Sequence, residues 1–500
     1  MGQDVSHGGW SNTQRQQYRE KVRQNLDVFE RMLAVSSFEH GSFTTGMEIE
    51  LCLLDANHDP AFINDAVLEA IDDESFVHEL ARFNIEVNVE PRSLQGEGLP
   101  DLEKAVRASL NSADEAARSV GARLAMIGIL PTVMSRHVTD EGWRSTPKRY
   151  QALDDAIMRA RGEDIFIDIG GTSGERLTLY SDSIGPESAC TSVQLHLQVA
   201  PSDFAAYWNA AQALAGPQVA LCANSPFFDG KMLWHETRIP LFTQAADTRS
   251  IELTHQGVRP RVDFGDRWIT SIFDLFEDNV RYFPSLLPEI TDEDPIAVLE
   301  GGEPPKLAEL RLHNGTIYRW NRPIYDTSGG KPHLRVENRV LPAGPTVTDV
   351  LANTAFYYGV LARLATEDRP VWTQMSFSAA STNFRNAARD GMHAKLYWPG
   401  YSSVSPDELV LRHLLPMADE GLNAWGVPAD VRERYLSVIE GRAISRQNGA
   451  TWQRDSVIAL QEAGLDRADA LRTMLEHYLV NSDRNEPVHT WNIAQGPADA

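Results

Sequence analysis

Several signatures that often mark a function are missing from this chain of 500 residues. Its three cysteines, Cys52, Cys190 and Cys222, lie far apart and form no CxxC pair. This spacing argues against a zinc site and a disulfide framework, and it is consistent with a reducing compartment. No stretch has the length and apolar character of a membrane span, and residues 2–20 are polar without an apolar signal core. We therefore expect a cytoplasmic protein with no membrane partner.

Basic charge is also scarce. The 46 lysines and arginines are outnumbered by 70 aspartates and glutamates, which gives a formal net charge of −24. Because nucleic-acid binding requires a basic surface and the cations here are scattered, we expect no nucleic-acid partner. Neither a GxGxxG nor a GxxxxGK[ST] phosphate loop occurs. A bound nucleotide would therefore need carboxylates and a divalent cation, although most acidic residues are expected simply to be solvated.

The apolar pattern predicts a globular α+β protein. Hydrophobic residues make up 42% of the chain and charged residues 23%, which is ordinary for a protein with a large core. Predicted strands cover residues 43–54, 83–89, 122–129, 165–169 and 191–199. Predicted helices cover residues 18–33, 100–120 and 203–215, and another begins near Asn64. The irregular alternation of helices and strands favours an α+β sheet over a doubly wound or barrel fold.

The end of the chain is predicted to be almost wholly helical. In residues 405–478, Pro406 and Pro428 stand near expected helix starts, and Gly421 and Gly441 stand near expected ends. No flexible linker separates this part from the rest. We expect a catalytic domain with an N-terminal helix in residues 1–404 and a helical C-terminal section in residues 405–500.

Two carboxylates interrupt the first apolar strand. Because side chains alternate along a strand, Glu48 and Glu50 project from one face with an apolar residue between them. Burying ionised groups is costly unless a cation or donors compensate, and paired carboxylates suit Mg²⁺. The alternative is a wet sheet face on which both are solvated.

Two other strands repeat the polar alternation. Glu86 and Asn88 share a face of the second strand, and a third carboxylate strengthens the interpretation as a metal site. Glu79 is either a ligand or a helix-surface residue. Gln194 and His196 share a face of a later strand, where they are either structural or contacts to a ligand.

Arginines mark two further places. Arg335, Glu337 and Arg339 lie on one face of a predicted strand in residues 333–341. This is either a ladder of salt bridges or a metal ligand beside cations that neutralise a transferred phosphate. Arg238 is either part of an ion pair that fixes a loop or a clamp for a carboxylate.

Taken together, these motifs resemble the glutamate-cysteine ligase family in its second class, which includes plant-type enzymes and bacterial carboxylate-amine ligases. The similar motifs, which span most of residues 40–395, are GMEIE at 46–50, Glu86 before Pro91, TSVQLH at 191–196, ANSPF at 223–227, Arg238, LRVENR at 334–339 and FRNAARDG at 384–391. The resemblance implies a fold related to glutamine synthetase, in which helices cover a curved antiparallel sheet that forms a funnel lined by glutamates.

The resemblance also implies site residues. It assigns metal binding to Glu48, Glu50, Glu86 and Glu337, and it leaves Glu79 and Gln194 open. It assigns substrate or phosphoryl contacts to Arg238, Arg335 and Arg339, and nucleotide contacts to Arg385, Arg389, Gln194 and His196. Gln194 matches the plant-type pattern, whereas His196 stands where plant enzymes have asparagine, so the second substrate stays open.

The expected activity is ATP-dependent amide formation through an acyl phosphate, with Mg²⁺, or Mn²⁺ in its place, and amino acids as substrates. By resemblance the default substrates are glutamate and cysteine, which would place the protein in glutathione biosynthesis. Two alternatives are phosphorylation without an amine acceptor, and a catalytically degenerate protein that binds nucleotide or an amino acid and regulates a partner. The resemblance leaves two roles open for the C-terminal section, a lid or a homodimer contact.

Overall fold

The computed structural model describes residues 9–35, 38–39 and 43–496. Residues 1–8, the start of the predicted catalytic domain, and residues 40–42, the start of the predicted family similarity, lie outside this description. The strands are β1 Thr44–Leu54, β2 Phe76–His78, β3 Asn84–Ser93, β4 Arg123–Ala125, β5 Ile165–Gly170, β6 Arg176–Ser181, β7 Ser192–Gln198, β8 Phe227–Phe228, β9 Lys231–Met232, β10 Val262–Asp263, β11 Tyr318–Arg319, β12 Asn321–Asp326, β13 His333–Pro342, β14 Leu396–Trp398 and β15 Tyr401–Val404.

The α-helices are α1 Asn12–Ala34, α2 Asn64–Ile71, α3 Gly98–Ser119, α4 Arg136–Thr139, α5 Lys148–Arg161, α6 Phe204–Cys222, α7 Arg238–Ala245, α8 Ile251–His255, α9 Ile272–Tyr282, α10 Pro295–Glu300, α11 Ala308–Gly315, α12 Val347–Ala365, α13 Phe377–Asp390, α14 Pro406–Leu409, α15 Leu415–Ala424, α16 Ala429–Ser445, α17 Gly449–Glu462 and α18 Arg467–Arg484. A 3₁₀ turn, Gly185–Ala189, precedes β7, and a π-helical turn, Val410–Leu414, joins α14 to α15.

Within the described residues, seven strands form one antiparallel sheet. The order is β12-β13-β7-β1-β3-β2, and β4 pairs with the far end of β1. Neighbouring strands in this order are mostly distant in the chain, so residues from its beginning and middle meet side by side. The sheet is therefore the element that assembles the site.

The two faces of the sheet carry different side chains. Met47, Ile49 and Leu51 of β1 face the larger hydrophobic core, where α6 and α12 pack. On the opposite face, Cys52 and Leu54 enter a second core. Because β1 alternates, Glu48 and Glu50 lie on this second face, beyond the part that the second core covers. The result is a half-covered face with apolar side chains at one end and carboxylates at the other.

Most predicted elements are confirmed, with two differences in length. Where residues 122–129 were expected to form a strand, only β4 is regular, because its pairing with β1 ends at Ala125. The helix expected to end at 215 continues to Cys222 through Gly216 and Pro217. Gly216 serves packing, since a Cβ there would lie 2.8 Å from the Cβ of Asn383 on α13.

The predicted helical section is confirmed as helical, and it packs on the body. α15 and α16 contact α12, and buried Arg442 on α16 donates 2.7 Å to Asp349 Oδ1 and 2.6 Å to Asn353 Oδ1. The division of the chain at residue 404 stays a prediction. Among the described residues, no helix combines the length and apolar character needed to cross a membrane.

Candidate active site

The register of the sheet brings the predicted carboxylates together. Glu48 on β1 lies directly between Asn88 on β3 and Gln194 on β7. Glu50 is paired with Glu86 on β3. Glu337 on β13 is paired with His196 on β7. Four strands that are separated in sequence therefore place their polar positions on one sheet face.

The first ligand group, here named the acidic cluster, consists of Glu50, Glu79 and Glu86. One carboxylate oxygen from each lies within 4.8 Å of the other two. Glu79 follows directly after β2, so the structure places it beside the strand carboxylates rather than on a helix surface. Glu50 accepts hydrogen bonds from Ser192 N at 2.6 Å and Gln194 Nε2 at 2.9 Å. These donors hold one carboxylate in place.

Like charges dominate the acidic cluster. Burial and the neighbouring carboxylates raise the pKa of Glu86 well above its ordinary value. Burial raises the pKa of Glu50 and of Glu79; nearby arginines oppose this rise in both, and one neighbouring glutamate adds to it in each. Such a group is destabilised when all three carboxylates are ionised, unless a cation joins them. An all-oxygen set at these distances suits a hard divalent ion.

The second ligand group, here named the mixed cluster, consists of Glu48, His196 and Glu337, whose ligand atoms also lie within 4.8 Å of one another. His196 Nε2 is 3.2 Å from Glu48 Oε1. Neither buried ring nitrogen has a hydrogen-bond partner within the described part of the chain, so this close approach is not an aligned hydrogen bond. The strand backbone at this residue is held from the other sheet face, because Tyr358 Oη of α12 donates 2.7 Å to His196 O. A buried imidazole that has no hydrogen-bond partner among the described residues and lies beside two carboxylates fits a metal ligand.

Two arginines donate directly to one carboxylate of the mixed cluster. Arg322 on β12 donates to both oxygens of Glu337, at 2.5 and 3.0 Å, and Arg339 donates to Glu337 Oε1 at 2.8 Å. Burial would raise the pKa of Glu337, but Arg322 and Arg339 outweigh it and hold this pKa below its ordinary value. Burial likewise opposes ionisation of Glu48, but the nearby His196 charge lowers its pKa. Once the imidazole is uncharged, as a metal ligand must be, two carboxylates and two guanidinium groups leave the mixed cluster close to neutral, so it can hold a cation together with an anion such as phosphate.

The three arginines that were expected near substrate differ in their contacts. Arg339 donates to Gln194 Oε1 at 2.5 Å and to Glu337 Oε1 of the mixed cluster at 2.8 Å. Arg335 lies on β13 two residues before Glu337 and pairs with Asp326 at 3.3 Å. Arg238, at 4% exposure, donates to Glu236 Oε1 at 3.0 Å and to the carbonyls of Arg339 and Val340 at 3.3 and 2.5 Å. Arg238 therefore braces β13 and also lines the cavity described below.

Arg385 and Arg389 lie on the exposed side of α13. This helix packs against α6, which itself packs on the sheet. Arg389 pairs with Asp390 at 2.7 Å. No hydrogen bond or ion pair between described residues joins either arginine to the two ligand groups. Their assignment to nucleotide phosphates stays a prediction.

A cavity of about 170 Å³ opens beside the acidic cluster. This is many times the ~10–15 Å³ that one water needs on the same measure, so a small organic molecule fits. Its charged lining consists of Glu50, Glu79, Glu187, Arg238 and Arg339, and its aromatic lining consists of Tyr150, Phe242, Tyr318 and Trp320. A site with both signs of charge and an aromatic wall suits an amino acid.

Sequence reasoning missed Arg322, Glu187 and Tyr150. Arg322 lies on β12 opposite Glu337, a pairing that only the structure reveals. Glu187 lies on the 3₁₀ turn and Tyr150 on α5, where no alternation of polar and apolar residues marks them. Only tertiary structure brings these two residues to the cavity.

The raised pKa values predict an unusual dependence of stability on pH. When no divalent cation is present, the folded acidic cluster binds more protons than the unfolded chain at any pH between the ordinary value of 4.5 and the raised values. The free energy of unfolding should therefore fall as pH rises through this window, and it should be lowest when all carboxylates are ionised. Saturating Mg²⁺ should remove much of this loss.

The measurement is the melting temperature between pH 5 and pH 8, in EDTA and in Mg²⁺. We expect the gap between the two curves to widen with pH by about 2–4 °C. A gap that is constant with pH would contradict the prediction.

The antiparallel sheet with two ligand groups on one face is consistent with an ATP-dependent carboxylate-amine ligase, the class of protein that the family match reported below supports. The fold is similar to the crystal structure of glutamate-cysteine ligase from Francisella tularensis in complex with AMP, with a TM-score of 0.52 and 10% sequence identity over 92% of this chain and 97% of that one. The family model of glutamate-cysteine ligase family 2 (GCS2) matches residues 44–462. The chain therefore belongs to this family, and both the resemblance and the α+β fold class are confirmed.

A second structure with some likeness is that of a bifunctional glutathione synthetase from Pasteurella multocida. Its TM-score is 0.48 and its sequence identity 11%, over 92% of this chain and 55% of that one. No curated protein sequence matches the chain significantly.

Proposed function

We propose that the chain uses ATP to join the carboxylate of glutamate to the amine of cysteine. The observation that carries the proposal is the pair of ligand groups on one sheet face, one acidic and one close to neutral, beside a cavity of amino-acid size. Phosphoryl transfer to a carboxylate requires two kinds of group. One needs a cation, and the other accepts a cation together with a phosphate. The family supports this choice of substrates.

Both ligand groups fit divalent cations. Glu50, Glu79 and Glu86 would hold one Mg²⁺ through oxygen alone, and Glu48, His196 and Glu337 would hold another, with Mn²⁺ as an alternative that also accepts imidazole. Bound there, the ions would neutralise the polyphosphate and polarise the transferred phosphoryl group.

The reaction has two steps, and the arginines contribute to the first. A substrate carboxylate oxygen attacks the γ-phosphorus, and ADP leaves with the electron pair of the broken P–O bond. Arg339 and Arg322, fixed on Glu337 by the bonds described above, would stabilise charge on the transferring group. The amine nitrogen then attacks the carbonyl carbon of the acyl phosphate, and phosphate leaves. No protein nucleophile is needed.

The test is release of ADP from ATP with glutamate and a panel of amines that includes cysteine, together with identification of the product. We expect turnover that requires both an amino acid donor and an amine, and an amide as product. A stable phosphorylated product without amide would indicate phosphorylation alone. If no amino acid pair gave turnover, the ligase proposal would be wrong.

The same proposal includes a cytoplasmic location and a role in glutathione biosynthesis. It also includes amino acids and ATP as the binding partners, and a homodimer whose contacts involve the helical C-terminal section. Size measurement in solution at several protein concentrations tests the last point.

A further inference from the structure

Glu187 is a carboxylate in the cavity that the two ligand groups do not use. It lies on the 3₁₀ turn Gly185–Ala189 just before β7, and its side chain lines the cavity. The groups of potential metal ligands found in the described residues do not include it. Within the same part of the chain its carboxylate makes no hydrogen bond or ion pair. Glu187 is half-buried, whereas the fully buried carboxylates of Glu236 and Asp349 are paired with Arg238 and Arg442.

The turn that carries Glu187 is held tightly. Ser188 Oγ donates 2.6 Å to Gly185 O, and Asn84 Nδ2 donates 2.7 Å to Ser188 O. Asp154 Oδ1 accepts from Ile184 N at 2.9 Å. A Cβ at Gly185 would lie 1.7 Å from Val138 O, so this close approach requires glycine. An unpartnered carboxylate on so constrained a turn is positioned rather than loosely solvated.

The chemistry of the proposed second step needs a group of this kind. An amino acid brings its amine as ammonium, which has no lone pair for attack, so a proton must first leave the nitrogen. A second proton leaves as the amide forms, and the departing phosphate can accept it. A side chain placed beside the amine can accept the first proton.

The other titratable side chains in the cavity are less suitable acceptors. Glu50 and Glu79 belong to the acidic cluster and would be committed to a cation. Burial raises the pKa of the Cys190 thiol and of the Tyr150 and Tyr318 phenols, so these groups keep their protons. Arg238 and Arg339 are cations. Glu187 is the remaining candidate for the proton acceptor among the side chains that line the cavity.

We propose that the Glu187 carboxylate binds the ammonium group of the incoming amine and accepts its first proton. The N–H bond breaks, the proton moves to a Glu187 oxygen and the electron pair stays on nitrogen. The nitrogen then forms the C–N bond, the bond from carbon to the phosphate oxygen breaks, and phosphate leaves with that electron pair and takes the second proton. The inference rests on the proposed function and adds to it the residue that receives the amine.

The electrostatics of Glu187 agree with this role. Burial raises the pKa of Glu187, and this contribution remains when a cation neutralises the carboxylates of Glu50 and Glu79. A carboxylate whose pKa is raised is a stronger base than an ordinary one and still loses its proton readily.

The test compares two nucleophiles in the Glu187→Gln variant. Cysteine arrives as ammonium, whereas hydroxylamine is mostly uncharged near neutral pH and traps acyl phosphates as hydroxamates. With cysteine we expect kcat/KM to fall by about 10²–10⁴-fold, the usual contribution of a positioned base. With hydroxylamine we expect hydroxamate formation within about threefold of wild type, because that nucleophile needs no deprotonation before attack. Glu187→Asp, which keeps a carboxylate, should recover part of the activity with cysteine.

Hydroxamate formation also shows that the variant is folded and still activates its carboxylate substrate. The matched control is Glu74→Gln, which removes one exposed carboxylate and should behave as wild type with both nucleophiles. Equal losses with both nucleophiles, or no loss with cysteine, would overturn the role of Glu187. If the wild type formed neither amide nor hydroxamate, the proposed function itself would fail.

Discussion

Glu86→Gln should lower kcat by about 10²–10³-fold while it makes the cation-free protein more stable. Glu86 is only 3% exposed, and the neighbouring glutamates raise its pKa. Glutamine has nearly the same shape but no charge, so the substitution relieves repulsion when no cation is present. It also removes a metal ligand, and therefore the stabilisation by Mg²⁺ should shrink. A structural carboxylate would show the opposite sign, because its loss would destabilise the protein.

Two measurements test this prediction. The melting temperature in EDTA should rise by about 1–3 °C relative to wild type, and the additional rise on adding Mg²⁺ should fall by at least half. The matched control is Glu90→Gln, an exposed carboxylate four residues further along β3, which should change neither quantity. Lower stability in EDTA, or an unchanged response to Mg²⁺, would show that Glu86 does not bind a cation.

The strand positions in the site could be predicted because a strand has a period of two. The alternation that puts Glu48 and Glu50 on one face is visible in the sequence, and the structure confirms this face. The pairing of Glu337 with His196 could not be obtained in this way. These residues are separated by more than a hundred positions, and the order of strands in a sheet is a tertiary property.

The difference between the two ligand groups was also hidden from the sequence. Glu50 and Glu48 are two residues apart and look equivalent, yet the first joins two carboxylates and the second joins an imidazole and one carboxylate. Burial opposes ionisation of both, but the Glu79 carboxylate adds to the raised pKa of Glu50, whereas the His196 charge lowers the pKa of Glu48. Charge environment depends on what lies across the sheet, and local pattern does not report it.

Residues outside the sheet were the hardest to find. Glu187 was missed because it lies on a short turn with no periodic signal. Glu79 follows a strand of three residues that the apolar pattern did not reveal. In contrast, Arg385 and Arg389 were suggested by a motif, and they lie on an exposed helix face. A sequence motif can match a family without showing which side of its helix contacts a ligand.

The sheet face also suggests how one arginine can couple the two groups. Arg339 contacts Gln194, which donates to Glu50 of the acidic cluster, and Arg339 also contacts Glu337 of the mixed cluster. Burial would lower the pKa of its guanidinium, but the carboxylates of both clusters outweigh burial and raise it, so the positive charge is retained between them. A group in this position is suited to anionic intermediates that lie across both ions.

Arg339→Ala should lower kcat by about 10²–10³-fold, the usual effect of removing one donor that stabilises charge in a transition state. The same change should strengthen Mg²⁺ binding at the acidic cluster by a few-fold, because a cation that repels the ion has left. Activity and metal affinity are therefore expected to move in opposite directions. General damage to the site would instead weaken both.

Arg339→Lys separates charge from geometry in this prediction. Lysine keeps the positive charge but cannot bridge Gln194 and Glu337 with a planar fork. We expect it to restore wild-type Mg²⁺ affinity and to recover only a minor part of kcat. Metal affinity can be measured by calorimetry without nucleotide, and kcat by ADP release with both substrates. Arg363→Ala, which removes an exposed arginine paired with Glu420, serves as the control. If Arg339→Ala lowered Mg²⁺ affinity, or left kcat within about threefold of wild type, the coupling role of Arg339 would be wrong.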